Sequence, residues 1–111
     1  MSRWGSVDEV QCRHLIATVE MIGRRWASGV LMALGGGDTR FNEIRRAVPG
    51  VSARMLAVRL AELERAELLE RVVAPTTPVE VHYGLTKRGR ELLAALAPLA
   101  DYAHKWDAAQ P

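Results

Sequence analysis

Apolar positions recur at helical spacing through the first two-thirds of the chain. Their spacing of three or four residues predicts four helices, over residues 7–22, 24–34, 41–48 and 53–65. Ser6 and Glu9 match an S-x-x-E capping box, which is typical of a helix start. Three glycines at 35–37 are expected to end the second helix, and Pro49 cannot extend the third.

A strand pattern replaces the helical pattern in the next part of the chain. Residues 68–74 are rich in leucine and valine, and residues 79–85 alternate apolar with polar side chains, which predicts two strands. The Pro75-Thr76-Thr77-Pro78 segment between them predicts a hairpin loop.

A long final helix is predicted over residues 86–108, with Thr86 as its N-cap. Its apolar residues follow at a heptad-type spacing, which is typical of a helix–helix contact. They are Leu92, Leu96, Leu99, Ala103 and Trp106. Pro98 lies within this pattern and is expected to kink or split the helix.

Residues 39–66 have the features of a helix-turn-helix. A short helix, a Pro-Gly turn and a second helix with a capping serine, Ser52, follow one another closely. Three leucines share the face of the second helix that is expected to be buried, namely Leu56, Leu60 and Leu63. The opposite face carries small side chains and one arginine, namely Arg54, Ala57, Val58 and Ala61. Such a face leaves room for close approach to a groove of DNA.

A helix-turn-helix followed directly by a β-hairpin is a winged helix, in which the hairpin at 68–85 is the wing. We therefore expect a single domain over residues 1–111, in the α+β class and mainly helical. The helices at 7–22 and 86–108 are additions to the winged helix at its two ends.

Positive charge is concentrated where a winged helix would meet DNA. Residues 40–65 contain six arginines and three glutamates, a net charge of +3, whereas the whole chain carries only +2. This local excess favours a nucleic-acid partner more strongly than the overall charge does.

Composition argues against several other classes of protein. The N-terminus lacks the apolar core of a secretory signal, and no apolar run approaches the ~20 residues of a membrane span, so a cytoplasmic location is expected. The single cysteine excludes an internal disulfide and a multi-cysteine zinc site. Because the chain has no nucleophile–base arrangement, metal-ligand spacing or phosphate-binding loop, we expect neither catalysis nor a cofactor or metal.

Several short segments, taken in order, resemble those of a known protein family. They are Cys12, Ile22-Gly23-Arg24-Arg25-Trp26, Arg40-Phe41-Asn42-Glu43-Ile44, Pro49-Gly50-Val51-Ser52, Met55-Leu56, Arg59-Leu60-Ala61-Glu62-Leu63 and Val81-His82-Tyr83-Gly84-Leu85-Thr86-Lys87-Arg88-Gly89. In order and spacing they resemble the HxlR-type (DUF24) winged-helix transcriptional regulators. Glu67 stands where that family usually has a glycine, so a left-handed turn at a non-glycine residue, or a different helix ending, is expected.

The resemblance implies a homodimer that binds a double-stranded DNA operator and is joined mainly by its first and last helices. The helix at 53–65 would enter the major groove, and the wing would contact the backbone or the minor groove. The implied dimer contacts are Leu15, Val19, Leu92, Leu96, Leu99, Ala103 and Trp106. Several family members resemble thiol-based switches, so Cys12 is either a sensor of oxidants and electrophiles or a small packed hydrophobe.

Candidate DNA contacts lie on both helices of the helix-turn-helix and on the wing. Arg54, near the start of the recognition helix, is placed to pair with a base edge or a phosphate, and the N–H groups beside Ser52 can seat a phosphate. Arg59 lies about 60° from the buried face and is expected to pair with a carboxylate instead. The full set is Arg40, Arg45, Arg46, Ser52, Ala53, Arg54, Met55, Ala57, Val58, Arg71, Thr76 and Thr77.

Two other functions stay open at this stage. The first is a winged-helix module that binds a partner protein, which the arginine cluster disfavours. The second is a repressor that senses a small molecule, with the effector bound between the terminal helices.

Overall fold

The structure, a computed structural model, describes residues 8–107. Its elements follow the predicted order of four helices, a hairpin and a final helix. They are α1 (Glu9–Ile22), α2 (Ala27–Gly35), α3 (Phe41–Ala47), α4 (Ala53–Arg65), β1 (Leu69–Ala74), β2 (Glu80–Leu85) and α5 (Lys87–Asp107). The mainly helical winged-helix fold predicted from the sequence is thereby confirmed.

Helices α1 and α2 both begin later than predicted. Asp8 caps α1 by accepting the N–H of Gln11 at 2.7 Å, and the Gln11 side chain accepts the N–H of Asp8 at 3.2 Å. The predicted cap, Ser6, lies outside the described residues. Helix α2 begins at Ala27 because Trp26 has a left-handed backbone, with φ at 77°. Residues 24–26 therefore form a turn and not a first helical turn.

The ends of α4 agree with the prediction. The Ser52 hydroxyl accepts the N–H of Met55 at 3.0 Å, as an N-cap does. At the other end Glu67 has a φ of 63°, so the expected left-handed turn is present without a glycine. The N–H of Leu68 donates back to the carbonyl of Leu63 at 2.9 Å, which satisfies one of the last helical carbonyls.

Strands β1 and β2 form an antiparallel pair in which Leu69 faces Leu85 and Ala74 faces Glu80. Each strand begins one residue later than predicted. The hairpin is attached to the helices at its base, where the N–H of Tyr83 donates to the carbonyl of Thr39 at 2.7 Å. This bond fixes the root of the wing beside the start of α3.

Helix α5 begins at the predicted cap, because the Thr86 hydroxyl accepts the N–H of Gly89 at 3.0 Å. The helix then continues through Pro98, so of the two predicted outcomes, a kink or a split, the split is wrong. Pro98 and Ala94, one turn before it, are both exposed. Water can therefore hydrate the carbonyl that the proline ring leaves without a partner, which lowers the cost of an internal proline.

The core lies among α2, α3, α4 and the start of β1. Its largest fully buried side chains are Val30, Leu31, Ile44, Leu56, Leu60, Leu63 and Leu69. Helix α1 contributes to it only at its C-terminal end, through the partly buried Met21 and Ile22. The rest of α1 stands on the surface of the chain.

Candidate DNA-binding interface

Helix α4 presents an open outer face above a fully apolar inner one. Leu56, Leu60 and Leu63 are buried, which anchors the helix as predicted. The opposite face is exposed and carries Arg54, Ala57, Val58 and Ala61. Its side chains are small apart from Arg54, so the helix backbone can come close to a neighbouring surface.

The predicted contacts at the start of α4 divide into exposed and half-buried ones. Ser52, Ala53 and Arg54 are exposed, and within residues 8–107 the Arg54 guanidinium forms no ion pair or side-chain hydrogen bond. Met55 is half-buried and packs against the core, because it lies next to the leucine face. Its side chain therefore points partly away from the surface on which we predicted it.

The three arginines of the α3 segment are in different environments. Arg40 pairs with Glu80 on the wing at 3.0 Å, and Arg45 donates from Nε to the carbonyl of Val51 at 3.5 Å. Arg46 is exposed and lines surface depressions with Asn42, one turn away on the same helix. Arg46 is thus the arginine of this group that has neither an ion pair nor a side-chain hydrogen bond among the described residues.

Arg59 is held by neighbours of its own chain. Its Nε donates to the carbonyl of Arg25 at 2.8 Å, and its Nη1 lies 3.1 Å from Glu62 Oε2. The carboxylate partner expected from the sequence is therefore present. Arg24 also binds Glu62, at 3.0 Å, and its hydrogen bond is the main reason that the pKa of Glu62 is lowered.

The wing carries its predicted residues on its surface. Thr76 and Thr77 lie exposed in the loop between the strands, and the Thr76 hydroxyl donates to the carbonyl of Pro78 at 2.8 Å. Arg71 is exposed on β1, opposite Tyr83. All three side chains can reach a surface that lies along the hairpin.

A polar network at the root of the wing was not predicted from the sequence. Thr39 Oγ1 and His82 Nδ1 are 3.2 Å apart, and His82 Nε2 lies 3.3 Å from Glu80 Oε2. The Glu43 carboxylate accepts the N–H groups of Thr39 and Arg40 at 3.1 and 3.0 Å. Part of this network could have been predicted from the sequence, because a glutamate at the third position of a helix, here Glu43 in α3, commonly accepts a backbone N–H at the helix start.

Two carboxyl groups of this network are held in the charged form. The backbone hydrogen bond from Arg40, followed by that from Thr39, lowers the pKa of Glu43. The hydrogen bond to His82, followed by the charge of Arg40, lowers the pKa of Glu80. The network therefore binds the wing to α3 with ionised carboxylates.

The apolar surfaces of α1 and α5 are exposed. On α1 the predicted dimer contacts Leu15 and Val19 lie on the surface, and Cys12 is exposed on the same helix. On α5 Leu99, Ala103 and Trp106 are exposed, as is Tyr102. Leu92 and Leu96 differ from them, because they are half-buried and pack partly against the core of their own chain.

Residues 8–107 contain no group of three histidine, cysteine or acidic side chains that could hold a metal ion. None of the described helices is long and apolar enough to cross a membrane.

Comparisons with known proteins agree with this geometry. The family of HxlR-like helix-turn-helix proteins matches residues 21–111. The HTH-type transcriptional regulator YvaP of Bacillus subtilis (strain 168) is 36% identical over 95 residues, which cover 86% of this chain and 88% of YvaP. YodB, a transcriptional regulator of the same organism, is 38% identical over 95 residues, covering 86% of this chain and 85% of YodB.

Solved structures of related regulators have the same fold. The reduced form of YodB matches with a TM-score of 0.77 and covers 86% of this chain and 93% of that one. The redox regulator HypR in its oxidised form matches with a TM-score of 0.76 at 32% identity, covering 83% of this chain and 95% of HypR. This chain belongs to the HxlR family of helix-turn-helix transcriptional regulators.

Proposed function

We propose that the protein is a homodimer that binds a double-stranded DNA operator by inserting the two copies of α4 into successive major grooves. The observation that carries this proposal is the outer face of α4, which is exposed and consists mainly of small side chains. At its N-terminal end lies Arg54, which has no ion pair or side-chain hydrogen bond within residues 8–107. An N-terminal arginine on a recognition helix can donate two hydrogen bonds to a guanine edge. The proposed location of the protein is the cytoplasm, where such a regulator binds its operator.

The other proposed DNA contacts lie on either side of Arg54. Ser52 and Ala53 offer backbone N–H groups to a phosphate at the start of α4, while Ala57 and Val58 face the bases. Arg46 and Arg45 contribute positive charge from α3, and Arg40 does so at the root of the wing. Arg71, Thr76 and Thr77 complete the surface along the hairpin.

Apolar side chains that a monomer would expose to water support the proposed dimer. Leu15 and Val19 on α1, with Leu99 and Trp106 on α5, are each about half exposed. Burial of apolar area of this kind against a second copy is favourable by roughly 25 cal/mol per Å². Half-sites about one helical turn apart, or a simple multiple, are expected from the two-fold symmetry.

Binding to duplexes selected from a random pool tests the proposal. The expected result is a near-palindromic sequence bound by two chains, with log Kd changing linearly with log salt. If the dimer neutralises about eight phosphates, the slope of log affinity is near −7. Failure to bind any duplex would contradict the proposal, and would favour a protein-binding winged helix.

Control through Cys12 is a second proposed property. Cys12 is exposed on α1, the helix that we assign to the dimer contact, and it is the single cysteine of the chain. The related YodB is known in a reduced and in a diamide-treated form, and HypR in an oxidised and a reduced form. A disulfide at Cys12 has to join two chains or bind a small thiol, so oxidation would act directly on the dimer.

A cavity of about 240 Å³ favours a small ligand as an alternative effector. It lies between α1, the end of α4 and the start of α5, and is lined by Ala17, Thr18, Met21, Leu68, Arg88 and Leu92. Arg88 is only loosely paired with Glu67, at 4.0 Å. The cavity is smaller than the sites that bind drug-sized molecules, so it suits a small ligand with an apolar ring and a carboxylate that can pair with Arg88.

A further inference from the structure

The turn between α1 and α2 is tied directly to the recognition helix. Arg24 Nη1 lies 3.0 Å from Glu62 Oε2, and Arg59 Nε donates to the carbonyl of Arg25 at 2.8 Å. Arg59 Nη1 also contacts both oxygens of Glu62, at 3.2 and 3.1 Å. We call these four residues, Arg24, Arg25, Arg59 and Glu62, the turn clamp.

The α1–α2 turn is also held in place by Trp26. Trp26 adopts a left-handed backbone with φ at 77°, and the Arg25 guanidinium lies 4.5 Å from the centre of the Trp26 ring. The edge of the same ring is so close to Gly50 that a Cβ there would stand 3.1 Å from Cη2. The α1–α2 turn is thus fixed against the turn of the helix-turn-helix.

These contacts matter because α1 has little other attachment to its own chain. Only its last two residues, Met21 and Ile22, are half-buried, and residues 8–20 are exposed. The direction of α1 relative to α4 therefore depends on the turn and on what holds the turn. Arg59 and Glu62 have side chains only 15% and 24% exposed, so their contacts are partly protected from water.

We propose that the turn clamp sets the orientation of α4 relative to α1, and through the dimer sets the half-site spacing that the protein accepts. Arg24, Arg59 and Glu62 are then positioning residues, which act on DNA recognition without contacting a base. The inference rests on the proposed function, because it needs a dimer joined through α1. It assigns the clamp a role in specificity, because the clamp joins the turn to α4 without contacting DNA.

Glu62→Gln separates this role from simple electrostatics, and Glu64→Gln is its matched control. Both substitutions remove one negative charge from α4, but Glu64 is exposed and forms no ion pair within residues 8–107. Charge alone predicts equal or tighter binding of both variants to any duplex. The clamp predicts that Glu62→Gln binds the selected operator more weakly while its binding to random duplex is unchanged or tighter.

The decisive measurement compares the selected operator with the same duplex carrying one extra base pair between its half-sites. One inserted pair rotates the half-sites by about 35° and separates them by about 3.4 Å. We expect the wild type and Glu64→Gln to lose about tenfold or more in affinity, and Glu62→Gln to lose less than about threefold. Arg24→Met should weaken the preference for one half-site spacing in the same way. Arg24→Lys should retain that preference, because one ammonium group can replace the single Arg24–Glu62 contact.

The outcomes distinguish this inference from the function on which it rests. If the wild type prefers one spacing and both Glu62→Gln and Arg24→Met keep that preference, the clamp inference is overturned and the proposed function stands. If the wild type binds no duplex at all, both are overturned. Thermal unfolding of each variant confirms that it is folded, and Arg24→Met changes only a half-exposed side chain.

Discussion

The Arg40 guanidinium lies 3.0 Å from the Glu80 carboxylate and so joins the helix-turn-helix to the wing. Glu80 also contacts His82, and His82 contacts Thr39, which precedes α3. The wing is therefore held by a polar network as well as by its backbone bond to Thr39. The network therefore connects two parts of the proposed DNA surface.

Acid should weaken the fold through the carboxylates of this network. Because the folded state lowers the pKa of Glu43 and Glu80, their stabilising effect is present above the ordinary glutamate pKa of about 4.3 and is lost as the pH falls through the folded-state values. The midpoint temperature of thermal unfolding should therefore decrease as the pH is lowered below about 4.3. In Glu43→Gln, which keeps an acceptor oxygen without a titrating group, the fall should be shallower. An equally steep fall in wild type and variant would show that Glu43 plays no part.

A charge on α1 should separate the two chains of the dimer. Val19→Glu places a carboxylate on the exposed apolar face of α1, and its burial against a partner would cost more than the lost valine contact. Sedimentation equilibrium should show a dimer for the wild type and a monomer for the variant. Val72→Glu is the control, because Val72 is as exposed as Val19, at 51% against 52%, but lies on the wing. If Val19→Glu stays dimeric, the assignment of α1 to the interface is wrong.

Oxidation should alter DNA binding through Cys12. With diamide as the oxidant, two thiols lose their hydrogens to form one disulfide, and the diamide is reduced to the hydrazine. We expect the treated wild type to change its affinity for the selected operator and to recover it with dithiothreitol. Cys12→Ser should bind the operator as the reduced wild type does and should not respond to diamide. A variant that responds as fully as the wild type would exclude a switch at Cys12.

Benzoate is a simple probe of the cavity beside Arg88. Its ring is expected to lie among Met21, Leu68 and Leu92, with the carboxylate at the guanidinium. Binding to the folded protein raises the unfolding temperature by mass action, so benzoate should raise it for the wild type but not for Arg88→Met. Lys87→Met removes an equal charge from the same end of α5 and should keep the response. Equal shifts in all three proteins would mean that Arg88 does not bind the carboxylate.

Local signals explain why some elements could be predicted from the sequence more accurately than others. Helix α4 was predicted with both of its ends because Ser52 caps it and three leucines mark its buried face. Helix α2 was predicted three residues too long at its start, because nothing in the side chain of Trp26 announces a left-handed backbone. Proline at 98 was expected to kink or split α5, and the exposed position of that turn allows the helix to continue without a split.

Contacts between residues that are far apart in the sequence could not be predicted from the periodicity of apolar positions. Arg24 and Glu62 are 38 residues apart, and Thr39 and His82 are 43 apart. Spacing along the chain shows which face of a helix is buried, but not which polar groups meet across the fold. The arginines of the candidate site were therefore predicted as exposed and unpaired, whereas the structure shows that Arg40 pairs with Glu80 and that Arg45 donates to the carbonyl of Val51.

The most direct test of DNA recognition by α4 is the affinity of Arg54→Ala for the selected operator and for its single-base variants. We predict a loss of roughly 1–3 kcal/mol on the operator, and a relaxed preference at one base position in each half-site. Arg65→Ala removes an equal charge from the far end of the same helix, and should keep the preference at every position. An unchanged affinity and base preference in Arg54→Ala would contradict the account.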